Sequence, residues 1–157
     1  MKIRSITGIA AAVVALAIVP IPLSSMGGTT LPTREARLGP DHPGATSPKA
    51  NASGQVVLKL DRPNNKVCYR FDFESFEVRG LYIQRVGSQN DREYKPPFLV
   101  LYDEAPRKES PLKGCATEQT RDIERRQIRA LKRHPKRFYV EAFQYDGKNI
   151  AGALKRP

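Results

Sequence analysis

The chain has 157 residues, the length of one ordinary domain. It carries 27 Lys+Arg against 16 Asp+Glu, a formal charge of +11, and 39% of its residues are hydrophobic. That content is too high for a wholly disordered chain and below the roughly 45–50% of a fully globular one, so a folded core joined to an unfolded stretch is expected. Two histidines and two cysteines leave little material for a protein-built metal site, and no cofactor is expected.

Residues 1–4 carry Lys2 and Arg4, residues 6–23 carry no charge, and Ser24, Ser25, Gly27 and Gly28 follow. A short basic region, an apolar run and then small residues form the pattern of a secretory signal peptide, expected over residues 1–27 with a cut after Gly27. Pro20 and Pro22 suit a cleavage region better than a membrane crossing. The alternative is an uncleaved anchor, since 18 residues is the lower limit for crossing roughly 30 Å of hydrocarbon. Residues 28–53 hold Pro32, Pro40, Pro43, Pro48, Gly39 and Gly44 without apolar periodicity, which predicts a flexible linker. His42, inside it, reads as a solvated side chain.

The folded domain is expected over residues 54–157. In residues 55–60, Val56, Leu58 and Leu60 share one face, and in residues 66–73 Val67, Tyr69, Phe71 and Phe73 alternate with Cys68, Arg70 and Asp72. Asn64-Asn65 supplies the turn between these two strands. Residues 76–86 read as a strand with a bulge at Gly80, and residues 98–102 as a short buried strand. Residues 138–144 and 150–154 flank Asp146-Gly147, a hairpin signal. One helix is expected over residues 121–133, with Ile123, Gln127, Ala130 and Leu131 on one side, His134 at its end and Pro135 stopping it. Six short strands and one short helix predict an all-β, mainly antiparallel sandwich or small barrel.

Cys68 and Cys115 belong to no Cys-x-x-Cys motif; in an exported protein they are most simply one disulfide. Closing the loop of about 48 residues between them is worth roughly 4 kcal/mol by chain entropy.

The order Ala52-Ser53-Gly54, Val67-Cys68-Tyr69, Lys113-Gly114-Cys115, and Pro135 leading to Phe138-Tyr139-Val140 resembles the CHRD (chordin-type) domain over about residues 52–154. The resemblance implies an Ig-like or superoxide-dismutase-like β-sandwich. The three positions where members usually carry histidines are Tyr82, Gln84 and Phe143 here, and their closing arginine is Ala151. A histidine-dependent function is therefore not implied, and a metal-binding, dismutase-like sandwich is disfavoured.

Catalysis finds little support in the residue types. His134 is the only histidine of the domain and lies among Lys132, Arg133, Lys136 and Arg137, placed to end a helix rather than to act as a base. Carboxylate pairs such as Asp72/Glu74 or Asp103/Glu104 could flank a glycosidic bond, but Asp72 and Glu74 alternate with Phe71 and Phe73 as a solvated strand face does, and no glycine-rich phosphate loop is present. No catalytic residue and no metal ligand is assigned. Residues 121–137 hold eight cations against Asp122 and Glu124, a local charge of +6. Arg125, Arg126, Arg129, Lys132, Arg133, Lys136 and Arg137 are the candidate polyanion-binding residues, with Arg125, Arg129, Lys132 and Lys136 on a common side if the helix ran that far. The blander alternative is a solvated face that adds solubility. No aromatic residues interleave to stack on bases, which disfavours nucleic acid.

These readings predict an exported, non-enzymatic, CHRD-like binding domain, secreted or held at the cell envelope. Its partner is an unidentified extracellular or envelope component, an acidic polymer among the candidates, and membrane contact would come only through an uncleaved leader. The alternative is an intracellular nucleic-acid binder using the same helix.

Overall fold

The computed structural model describes residues 31–45, 50–87 and 96–157. The expected leader, its cut after Gly27 and Pro48 lie outside them. In chain order the strands are β1 (Thr33–Leu38), β2 (Ser53–Asp61), β3 (Lys66–Glu74), β4 (Val78–Arg85), β5 (Leu99–Arg107), β6 (Leu112–Thr117), β7 (Phe138–Phe143) and β8 (Asn149–Ala153). Two short helices, α1 (Glu118–Arg121) and α2 (Arg125–Arg133), lie between β6 and β7. The strands form two antiparallel four-stranded sheets, ordered β1-β2-β3-β6 and β5-β4-β7-β8: an all-β sandwich.

Alternation produces the two layers. Val67, Tyr69, Phe71 and Phe73 of β3 are buried with Val56, Leu58 and Leu60 of β2, against Leu81, Ile83, Leu101, Val140, Ala142 and Ile150 of the second sheet. A two-residue period puts the polar partners of each strand on the outside. The Gly80 bulge is present as a register shift between Val78 and Gly80.

The sheets are joined along one side. Glu35 and Lys155 exchange backbone hydrogen bonds (3.1 and 2.8 Å), as do Gly39 and Ala151 (2.9 and 3.1 Å), linking β1 to the strand end at β8. On the other side β5 and β6 are the sheet edges, spanned by an ion pair from Arg121 to Glu104 at 3.0 Å.

Residues 33–38, expected as linker, are a strand. β1 escapes the period-2 signal because its inward positions are Arg34, Ala36 and Leu38, only one of them a large hydrophobe. The sandwich therefore begins at Thr33 rather than Gly54. Its inward residues Leu112, Gly114 and Ala116 hide β6 in the same way. Gly114 is small because a Cβ there would come within 2.5 Å of the Tyr69 hydroxyl. Cys115 on the outer side of β6 faces Cys68 of β3 in direct register, and the two are disulfide-bonded.

The expected single helix is two. Asp122 adopts a left-handed conformation (φ 51°) after α1, donating its N–H to Glu118 O at 3.1 Å. α2 restarts after Glu124, whose N–H is accepted by the Gln127 side chain at 2.8 Å. His134 ends α2, its N–H donating to Ala130 O at 2.9 Å, and Pro135–Arg137 make one 3-10 turn into β7. Ile123, Ile128 and Leu131 are buried, so the helical segment closes the end of the sandwich where β4 finishes and β7 begins.

Candidate anion-binding pocket

With Ile128 and Leu131 turned into the core, the remaining positions of α2 must face water, and Arg125, Arg126, Arg129, Lys132 and Arg133 are all exposed. The last carbonyls of a helix carry partial negative charge and lack intrahelical partners. Here they meet Arg34 of β1. Its Nε donates to Leu131 O at 3.2 Å, one terminal nitrogen donates to Lys132 O and the other to Thr33 O. Arg34 is only 6% exposed. Burial, with Arg156 nearby, lowers its pKa from the ordinary guanidinium value; a guanidinium nonetheless keeps its proton in a protein. The negative helix end is thereby cancelled by a buried cation.

Just beyond that end lies a pocket of about 520 Å³ lined by Arg133, His134, Pro135, Lys136, Arg137, Lys155 and Arg156. Five of these seven are permanent cations, and none of the five forms an ion pair among the described residues. Pro135 fixes the turn that folds Lys136 and Arg137 back toward Arg133, and the backbone exchange between Glu35 and Lys155 holds the C-terminal residues alongside. A gathered group of exposed cations without ion-pair partners among the described residues raises the local positive potential and suits a multiply charged anion.

The seven expected residues divide. Arg133, Lys136 and Arg137 line the pocket. Arg129 and Lys132 are exposed beside it. Arg125 and Arg126 sit at the start of α2 and are engaged locally, Arg125 donating to Asn65 Oδ1 at 3.2 Å and Arg126 to Glu124 at 2.8 Å. The common side expected for Arg125, Arg129, Lys132 and Lys136 does not form, because the helix stops at Arg133 and Lys136 belongs to the 3-10 turn. Sequence reasoning missed Lys155, Arg156 and Arg34. Only pairing of β8 with β7, and of β1 with the chain after β8, brings them to α2.

The outer face of the second sheet gathers a different set. Of Tyr82, Gln84 and Phe143, the rings of Tyr82 and Phe143 are 5.3 Å apart, whereas Gln84 donates to Glu141 at 3.4 Å. Glu141 is buried, accepts from Asn149 Nδ2, and is pushed up to about 7 by burial. His42 is not a freely solvated side chain. Its ring lies 5.4 Å from that of Tyr139, its Nδ1 accepts from Gly44 N–H at 2.9 Å, and burial lowers its pKa. Of the carboxylate pairs weighed above, Asp72 is paired with Arg70 at 2.8 Å and Glu104 with Arg121. Among the described residues no group of three or more His, Cys, Asp or Glu is placed to hold a metal ion.

Comparison with protein-family models, curated proteins and solved structures returns no match to this chain. No helix among the described residues is long and apolar enough to cross a membrane.

Proposed function

We propose that the protein is an exported, non-enzymatic, CHRD-like recognition domain that docks on anionic groups of the cell envelope or extracellular space through the pocket at the end of α2. The observation that carries this reading is the set of five cations, Arg133, Lys136, Arg137, Lys155 and Arg156, lining one hollow with no ion-pair partner among the described residues. A merely solubilising surface has no reason to gather cations in a concavity, where each raises the energy of the next. The exposed Cys68–Cys115 bridge supports an oxidising compartment.

The test is elution from a dextran sulfate column. Replacing Arg133 and Arg137 with glutamate should lower the eluting salt several-fold relative to wild type, since each contact with a polyanion contributes to the salt dependence. The charge-matched control, Arg125→Glu with Arg126→Glu, should elute close to wild type. Equal losses in both double variants would mean that net charge alone binds, and the pocket reading would fail.

A further inference from the structure

We infer that the occupant of this pocket is the headgroup layer of an anionic phospholipid bilayer, its phosphates seated among Arg133, Lys136, Arg137, Lys155 and Arg156, with Val86 dipping beneath them. The inference names the partner of the site proposed above and rests on that reading. Three placements favour a lipid surface over a soluble polymer.

Val86 is 63% exposed, one of two large hydrophobic side chains so placed among the described residues. It stands at the pocket's rim: its N–H donates to Arg137 O at 3.0 Å, and with Arg85, Lys136 and Arg137 it lines an adjoining hollow. A hydrated polymer gives an exposed valine between cations nothing to bury against. A headgroup layer with acyl chains below it does.

The chain also enters the domain at this end. Arg34, at the start of β1, touches the last carbonyls of α2. The uncharged run of residues 6–23 ends eleven positions before Arg34, a span of at most roughly 40 Å when extended. A leader kept in a bilayer would hold the domain with this end foremost.

Finally, the excess of positive charge is concentrated at this end of the sandwich. At the opposite end Glu74, Glu77, Glu109 and Asp146 share the turns with Arg107, Lys108 and Lys148, and Lys108 and Lys148 are paired with Glu77 and Asp146, so the charges there are mixed. An anionic plane would turn the basic end toward itself and leave the mixed end facing away.

The experiment places the full-length chain in nanodiscs of phosphatidylcholine alone, or of equal parts phosphatidylcholine and phosphatidylglycerol, and follows acetylation of each lysine by mass spectrometry. Lys136 and Lys155 should label about five-fold more slowly in the anionic discs. Lys108 and Lys148, at the far end, should label alike in both. The protection should vanish with Arg133→Glu and Arg137→Glu. Val86→Ser, which removes apolar surface without changing charge, should weaken it with little change in elution from dextran sulfate, a split that a polymer-binding site would not show. Equal labelling of Lys136 and Lys155 in the two discs overturns the inference. If dextran sulfate retention is still pocket-dependent in that case, the occupant is a polymer and the proposed function stands. If that retention fails as well, both readings fall together.

Discussion

Two buried charged side chains carry the residue-scale chemistry. Glu141 is 4% exposed, and its two amide donors, Asn149 and Gln84, only partly offset the loss of water, so its carboxyl rises from 4.5 to about 7. A carboxyl with a raised native pKa holds its proton when folded over a range where the unfolded chain has released it. Its contribution is therefore fully present below about pH 4.5 and is lost as pH rises through about 7. At one pKa unit per 1.36 kcal/mol, the loss is up to about 3 kcal/mol. The urea midpoint of the wild type should fall between about pH 5 and pH 8, and that of Glu141→Gln should fall less by this amount. Parallel midpoint curves for the two proteins would show that Glu141 is already ionised throughout. Arg34 makes the complementary case. Arg34→Met keeps much of the volume but leaves the carbonyls of Leu131 and Lys132 without their buried donor, and should lower unfolding free energy by about 2–4 kcal/mol in chemical denaturation. An effect below about 0.5 kcal/mol, the range of ordinary surface changes, would mean that water replaces it fully.

At the scale of elements, legibility follows inward side-chain size. The strands β2 and β3 are plain because their inward positions are large hydrophobes from Val56 onward, Val56, Leu58 and Leu60 facing the same core as Val67, Tyr69, Phe71 and Phe73. The edges were not. β1 spends an inward position on Arg34, whose burial makes sense only once α2 is packed above it, and β6 spends one on Gly114 to admit the Tyr69 ring. The helical segment was read at nearly the right place, yet its break depends on the left-handed turn at Asp122, which no hydrophobic period records. The site shows the same division. Arg133, Lys136 and Arg137 were visible as a basic run, whereas Lys155 and Arg156 reach them only through strand pairing. The disulfide matters most at β6, a strand with few large inward side chains, paired within its sheet only to β3. Replacing Cys68 and Cys115 with serine should cost about 2–4 kcal/mol, measured against the oxidised wild type, with the far-UV spectrum retained. Loss of the whole β signal would instead make the bridge a condition of folding.

For the molecule as a whole, the seam between β1 and the chain end at β8 ties the site to the fold. The last residues carry two of the five pocket cations, and they are held by the pairs Glu35–Lys155 and Gly39–Ala151. That approach is possible because residue 152 is glycine. A Cβ there would lie 1.9 Å from the carbonyl oxygen of Arg37 and 2.6 Å from its carbon. These are backbone atoms, so no rotamer change relieves the clash and the strands must separate. Gly152→Ala should therefore open the seam, at a cost of about 2–4 kcal/mol in denaturation. Amide exchange should report the opening locally. The N–H groups of Glu35, Gly39, Ala151 and Lys155 should exchange faster while the β2–β3 ladder stays protected. Because opening also releases Lys155 and Arg156 from beside Arg133, the variant should elute from dextran sulfate at lower salt than wild type, although its net charge is unchanged. Seam amides as slow as in the wild type would show that β1 and the chain end part company elsewhere. Fast seam exchange with unaltered elution would remove Lys155 and Arg156 from the pocket's working set and leave Arg133, Lys136 and Arg137 to bind alone.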